Sequence, residues 1–79
     1  MQDTYPLSGI RSDVATVVRV ELAKRRMSAA ELARRAGMKQ QRLARRMTGN
    51  TAFDVDDLAA IAKVLDIPMA ALLPVERAA

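Results

Sequence analysis

Residues 28–47 constrain this chain more than any other stretch. Leu32 and Ala36 lie four apart and share one helical face, with Ala33 beside them where only a small side chain lets a second helix come close. Ser28 stands ahead of this run as a helix cap, and Glu31 follows three residues on, the spacing of a capping box. Gly37 can take the left-handed conformation that ends a helix. Met38 follows as an apolar plug. From Lys39 a second short helix puts Leu43 and Met47, four residues apart, on one side. The spacing therefore predicts helices over 29–36 and 39–47, joined by a tight turn at Gly37. Such a pair is a helix-turn-helix, whose second helix can enter a DNA major groove.

The flanking segments read as packing partners for that pair. Ser12 and Asp13 offer a cap and a negative charge at a helix start, and Val14, Val17, Val18 and Leu22 follow at helical spacing. A first helix is expected from there to about Arg26, with Lys24, Arg25 and Arg26 complementing its C-terminal dipole. Residues 1–10 hold Pro6 and Gly9 without a helical period, and read as a loose arm. Thr48-Gly49-Asn50-Thr51 closes the second short helix, and Phe53 anchors the loop. Asp54 can cap a fourth helix whose buried stripe is Val55, Leu58, Ile61, Ala62 and Leu65. Asp54, Asp56 and Asp57 raise the thought of a metal site, but the helix dipole accounts for them more simply. Asp66 ends that helix. Pro68 opens a short fifth helix to about Leu73, Pro74 stops it, and residues 75–79 read as a frayed tail.

Composition narrows the class. Seventy-nine residues make one domain, 1–79, with a modest core. Tyr5 and Phe53 are the only aromatic residues, and Ala, Leu, Val and Met favour packed helices over a sheet. Without Cys there are neither disulfides nor thiolate zinc sites, and without His the commonest general base is missing. There is no Gly-rich phosphate loop and no spaced carboxylate pair, so neither an enzyme nor a cofactor is expected. Aromatic platforms for stacking RNA bases are also missing. No apolar run nears the roughly 18 residues of a membrane span. The N-terminus shows no signal pattern, so a cytoplasmic protein is expected.

Charge is unevenly spread. The formal net charge is +4, yet residues 1–23 carry net −1, residues 24–46 net +8 and residues 47–79 net −3. The plain reading is a solvated, Arg-rich helical surface. The nucleic-acid reading gains weight because the charge coincides with the two-helix motif.

Residues 28–74 resemble the Cro and lambda-repressor-like helix-turn-helix family. The matching residues are Leu32, Ala33 and Gly37, then Leu43, Gly49 and the run Asp57-Leu58-Ala59-Ala60-Ile61-Ala62-Lys63-Val64-Leu65. The closing Ile67-Pro68-Met69-Ala70-Ala71-Leu72-Leu73 fits the family's short last helix. The chain departs from the family at two positions. Ala29 stands where Gln often opens the second helix, and Arg46 where an apolar residue often ends the recognition helix, with Met47 taking up that core position one residue later. The resemblance implies an all-α, compact five-helix domain that binds double-stranded DNA. Its function would be that of a phage-type repressor or Cro-like regulator acting by operator occupancy. The rival is a protein-interaction module or antitoxin component that keeps the fold with weak or non-specific DNA binding.

With Leu43 inward and about 100° per residue, Gln41 and Arg45 point outward and Arg42 lies near them. Gln40 sits at the first turn, nearest any base edge the helix tip reaches. Gln suits the adenine edge and Arg the guanine edge, each through two hydrogen bonds. Gln40, Gln41 and Arg45 are therefore the expected base readers. Ser28, Arg34, Lys39, Arg42, Thr48, Asn50 and Thr51 are the expected phosphate contacts. Arg46 lies at the core margin. One short helix reads few base pairs, so a homodimer, formed in solution or on DNA, is expected, with Leu72, Leu73 and Val75 as candidate contacts. Neither a small-molecule ligand nor a membrane partner is expected.

Overall fold

Helix-forming segments in this chain are short and locally punctuated, and the computed structural model, which describes residues 7–74, shows how the punctuation works. Four α-helices run in order: α1 (Leu7–Lys24), α2 (Ala29–Ala36), α3 (Gln40–Met47) and α4 (Val55–Leu65). A single 3-10 turn, Met69–Leu72, follows. There is no strand among the described residues. Each helix contributes apolar side chains to one core: Val14, Val18 and Leu22 from α1, Leu32 and Ala33 from α2, Leu43 from α3, and Leu58, Ile61, Ala62 and Leu65 from α4. Leu72 closes that core from the 3-10 turn. Leu32, Leu43, Ile61, Leu72 and Val18 are the largest fully buried side chains, each worth about 1.5–3 kcal/mol of burial.

Three helices end in the same way. Arg26, Gly37 and Asp66 take positive φ angles of 53°, 72° and 58° after α1, α2 and α4. At each corner one amide reaches back five residues and its predecessor three: Met27 to Leu22 and Arg26 to Ala23, Met38 to Ala33 and Gly37 to Arg34, Ile67 to Ala62 and Asp66 to Lys63. These are paired Schellman bonds, which satisfy carbonyls left over at a helix end. The residue after each corner, Met27, Met38 or Ile67, leans on the core. Only the α2 corner has glycine; the side chain at Arg26 costs about 1 kcal/mol in this conformation. Gly49 (φ 84°) is needed for a second reason as well, since a Cβ there would meet the Ser12 Cα at 3.3 Å.

Several expectations are corrected. α1 begins at Leu7, so residues 7–10 of the expected arm are helical and residues 1–6 lie outside the described residues. Ser12 and Asp13 fall inside the helix, where Thr16 Oγ1 donates to the Ser12 carbonyl at 2.9 Å. The extension follows from Ile10, which packs on the core four residues before Val14. α1 ends at Lys24 because Arg26 turns left-handed. The expected fifth α-helix is the 3-10 turn: Pro68 and Pro74 leave little room between them, and the turn serves to bury Leu72. Leu72 is therefore core and unavailable to a partner, whereas Leu73 is 47% exposed; Val75 lies outside the described residues. Finally, Val55 is 68% exposed and the first turn of α4 buries Asp57 instead.

Candidate nucleic-acid interface

The two short helices are set by their ends. The Ser28 hydroxyl accepts a hydrogen bond from the Glu31 amide at 3.1 Å. Glu31 makes a 3.6 Å ion pair with Arg35, so this cap has the forward half of the expected box. α3 starts at Gln40, one residue later than expected, with Lys39 as an extended residue that gives no side-chain cap. At its other end, Arg19 of α1 donates to the Met47 carbonyl at 3.3 Å, placing a cation at the negative end of the helix. The Thr48 hydroxyl donates to the Arg45 carbonyl at 2.7 Å and accepts from the Asn50 amide at 3.3 Å, which folds the loop back on α3.

Leu43 is the one fully buried residue of α3, and Met47 lies partly buried against the core. Gln40, Gln41, Arg42, Ala44 and Arg45 are exposed. Gln41, Arg45, Thr48, Asn50 and Thr51 line one open concavity beside the C-terminal half of α3. Lys39, Gln41, Arg42, Arg45, Arg46 and Thr51 line a second. Because Gln41, Arg45 and Thr51 belong to both, most of the expected contact residues form one continuous face. Gln40 is exposed at the first turn of α3 and lines neither concavity. Ser28 and Arg34 are exposed on the α2 side.

A cluster of four charged side chains borders that face. The Asp57 side chain, 6% exposed, receives Arg42 Nε at 3.2 Å, Arg42 Nη2 at 3.1 Å and Arg46 Nε at 2.9 Å. Asp54 accepts Arg42 Nη2 at 2.9 Å and is exposed. The two acids also cap α4 reciprocally: the Asp57 amide donates to Asp54 Oδ1 at 2.7 Å, and the Asp54 amide to Asp57 Oδ2 at 3.2 Å. The Asp57 amide, and behind it the Arg42 charge, hold the Asp54 carboxyl below its usual pKa. The cluster links α3 to the start of α4. The helix dipole accounts for the position of these acids but not for this pairing. The signal was present in the spacing, since Arg42 and Arg46 share one face of α3 while Asp54 and Asp57 share one face of the next helix's first turn. Arg46, in an apolar position by family resemblance, has only 13% of its side chain exposed and is neutralised by Asp57.

The free basic charge is consequently smaller than the sequence total. Of the nine basic residues between Lys24 and Arg46, Lys24 and Arg25 pair with Glu21, Arg35 with Glu31, and Arg42 and Arg46 with the α4 acids. Arg25 also donates to the Leu65 carbonyl at 3.2 Å, tying α1 to the end of α4. Among the described residues, Arg26, Arg34, Lys39 and Arg45 have no ion pair. No helix among them is long and apolar enough to cross a membrane.

An all-helical fold presenting α2, a glycine corner and a polar-faced α3 defines a helix-turn-helix domain. The profile of the family described as Helix-turn-helix matches residues 18–72, most of the chain. The chain belongs to this family, of lambda-repressor and Cro-like type, whose members are DNA-binding transcription regulators. No curated protein and no solved structure matches the chain.

Proposed function

We propose that the protein is a sequence-specific regulator of phage-repressor or Cro-like type that acts by occupying an operator in double-stranded DNA. One observation carries this reading. Gln40, Gln41 and Arg45 are exposed on α3 with no side-chain hydrogen bond or ion pair among the described residues, whereas Arg42 and Arg46 beside them are held by acids. Unengaged amide and guanidinium groups on the second helix of such a motif are suited to base edges. Ser28, Arg34, Lys39, Thr48, Asn50 and Thr51 flank them as phosphate contacts, which fix register without reading sequence. Arg42, expected on a phosphate, joins that set only by loosening its contacts to Asp54 and Asp57.

The protein works as a homodimer, formed in solution or on DNA, because one eight-residue helix reads too short a site to be unique. Met69 on the 3-10 turn and Leu73 just after it are exposed apolar candidates for the contact. Selection of bound sequences from a random duplex pool tests both parts. The expected product is a palindrome with half-sites about one helical turn, roughly 34 Å, apart. A pool that is bound without any recurrent motif would refute sequence-specific regulation, and a single unrepeated half-site would refute the dimer.

A further inference from the structure

We infer that Asp54 is a specificity-determining residue: it withholds Arg42 from phosphates and so weakens binding to indiscriminate DNA. The inference rests on the DNA-binding reading above. Arg42, Arg46, Asp54 and Asp57 form a cluster with two positive and two negative charges. Its members are unequally placed. Arg46 and Asp57 are mostly buried and face each other at 2.9 Å; Asp57 also takes Arg42 through Nε at 3.2 Å and Nη2 at 3.1 Å, so its one negative charge is shared between two guanidiniums. Arg42 and Asp54 have 42% and 55% of their side chains exposed. Exposed ion pairs are weak and exchange partners readily. Arg42 also lines the concavity it shares with Lys39, Gln41, Arg45 and Thr51. A duplex laid on that face brings phosphates to the one guanidinium that Asp54 holds, and brings them against the Asp54 charge.

The consequence differs between two kinds of DNA. On random duplex, affinity comes almost wholly from cations meeting phosphates. Keeping Arg42 neutralised removes one cation from that sum. On a preferred site, contacts to base edges hold α3 in one register, and Arg42 serves better bracing α3 against Asp57 than on a phosphate. Asp54 thus lowers the background more than the signal.

Asp54→Asn tests this, since Asn caps helices as well as Asp and keeps an oxygen for the Asp57 amide. The control is Asp66→Asn, the same charge change at the opposite end of α4, at a left-handed position that Asn tolerates. Binding to random duplex is followed by fluorescence anisotropy over a range of salt, and binding to the selected site in parallel. In Asp54→Asn the log–log salt slope should steepen by about 0.9, one additional phosphate neutralised. At low salt random-duplex affinity should rise several-fold, by more than on the preferred site. Asp66→Asn should leave the slope unchanged. In an Arg42→Ala background, Asp54→Asn should no longer steepen it. An Asp54→Asn slope equal to that of Asp66→Asn, or a steepening that survives without Arg42, overturns the inference. Asp54→Ser, another good cap, repeats the test if the Asn variant melts early. Failure of wild type and Asp66→Asn alike to bind any duplex would instead defeat the DNA-binding reading, and the inference with it.

Discussion

Arg45 and Arg46 are adjacent in the chain and about 100° apart around α3. Arg45 stands in the exposed face with Gln41 and has no ion pair among the described residues. Arg46 turns to the core margin, donates to Asp57 at 2.9 Å and to the Arg42 carbonyl at 3.2 Å, and is largely covered. Two residues of one type, contributing equally to any count of charge, therefore do different work. One is free for a ligand; the other holds the helix that presents it. The contrast extends along α3: Leu43, Arg46 and Arg42 bind the helix to its neighbours, and Gln40, Gln41 and Arg45 are left over.

This division can be tested from its structural side first. Leu43→Ala should destabilise the domain by about 2–4 kcal/mol, because the side chain is fully buried and its loss leaves a cavity. A thermal midpoint that does not move would mean that α3 is seated by other contacts. On the exposed side, Gln41→Ala should weaken binding to the preferred site by about 1–3 kcal/mol and hardly change random duplex. Equal losses on both would show that this face does not read sequence. The adjacent pair then separates the roles. Arg46→Ala should lower stability by about 1–2 kcal/mol, as a charge-assisted bond to a buried carboxylate is lost, and leave the salt slope of DNA binding alone. Arg45→Ala should do the reverse, sparing the melt and weakening binding to the preferred site by about 1–3 kcal/mol. If both variants behaved alike, the contrast would collapse.

Salt dependence of the wild type gives the same comparison a number. Nine basic residues in the motif region suggest about five phosphate contacts and a slope of roughly −4 to −5, whereas Arg34 and Lys39, the unpaired cations assigned to phosphates, give roughly −1.8. A measured slope near −8 would mean that the paired arginines also bind phosphate. The smallest effect is on pH. The Asp57 amide holds the Asp54 carboxyl below its usual pKa, and Arg25, then Lys24, do the same for Glu21. Both carboxyls ionise more readily folded than unfolded. Their contribution is therefore complete above the ordinary carboxylate range and is lost as pH falls through the lowered folded-state values. Acid titration of the melting midpoint should show a slight decline that begins below pH 5 and is reduced in Asp54→Asn.

The features legible in the sequence are those whose signals are local. Ser28, Gly37 and Asp54 each act on amides or carbonyls within a turn of themselves, so the caps and the glycine corner follow from spacing. The exposure of Gln41 and Arg45 follows from setting Leu43 inward. What escaped depends on how separate elements meet. Arg42 and Arg46 reach acids 11 to 15 residues away, and that pairing exists only once α3 and α4 have packed. The apolar period of α4 places Val55 in the core, but the first turn of α4 faces two arginines and buries a carboxylate. The corner at Arg26 was also hidden, since nothing in an arginine announces a left-handed backbone; it is stabilised there by Met27 packing behind it.

An eight-residue helix with one fully buried side chain is held loosely by the standards of its own domain. Isolated helices of that length are scarcely populated, so α3 depends on Leu43, the Arg19 contact to its last turn and the Arg46–Asp57 pair. Its amides should exchange with deuterium through a local opening that is easier than global unfolding. DNA that contacts both ends of α3 would suppress that opening. Part of the heat capacity change on association then reports the ordering of this one helix rather than the area of the interface.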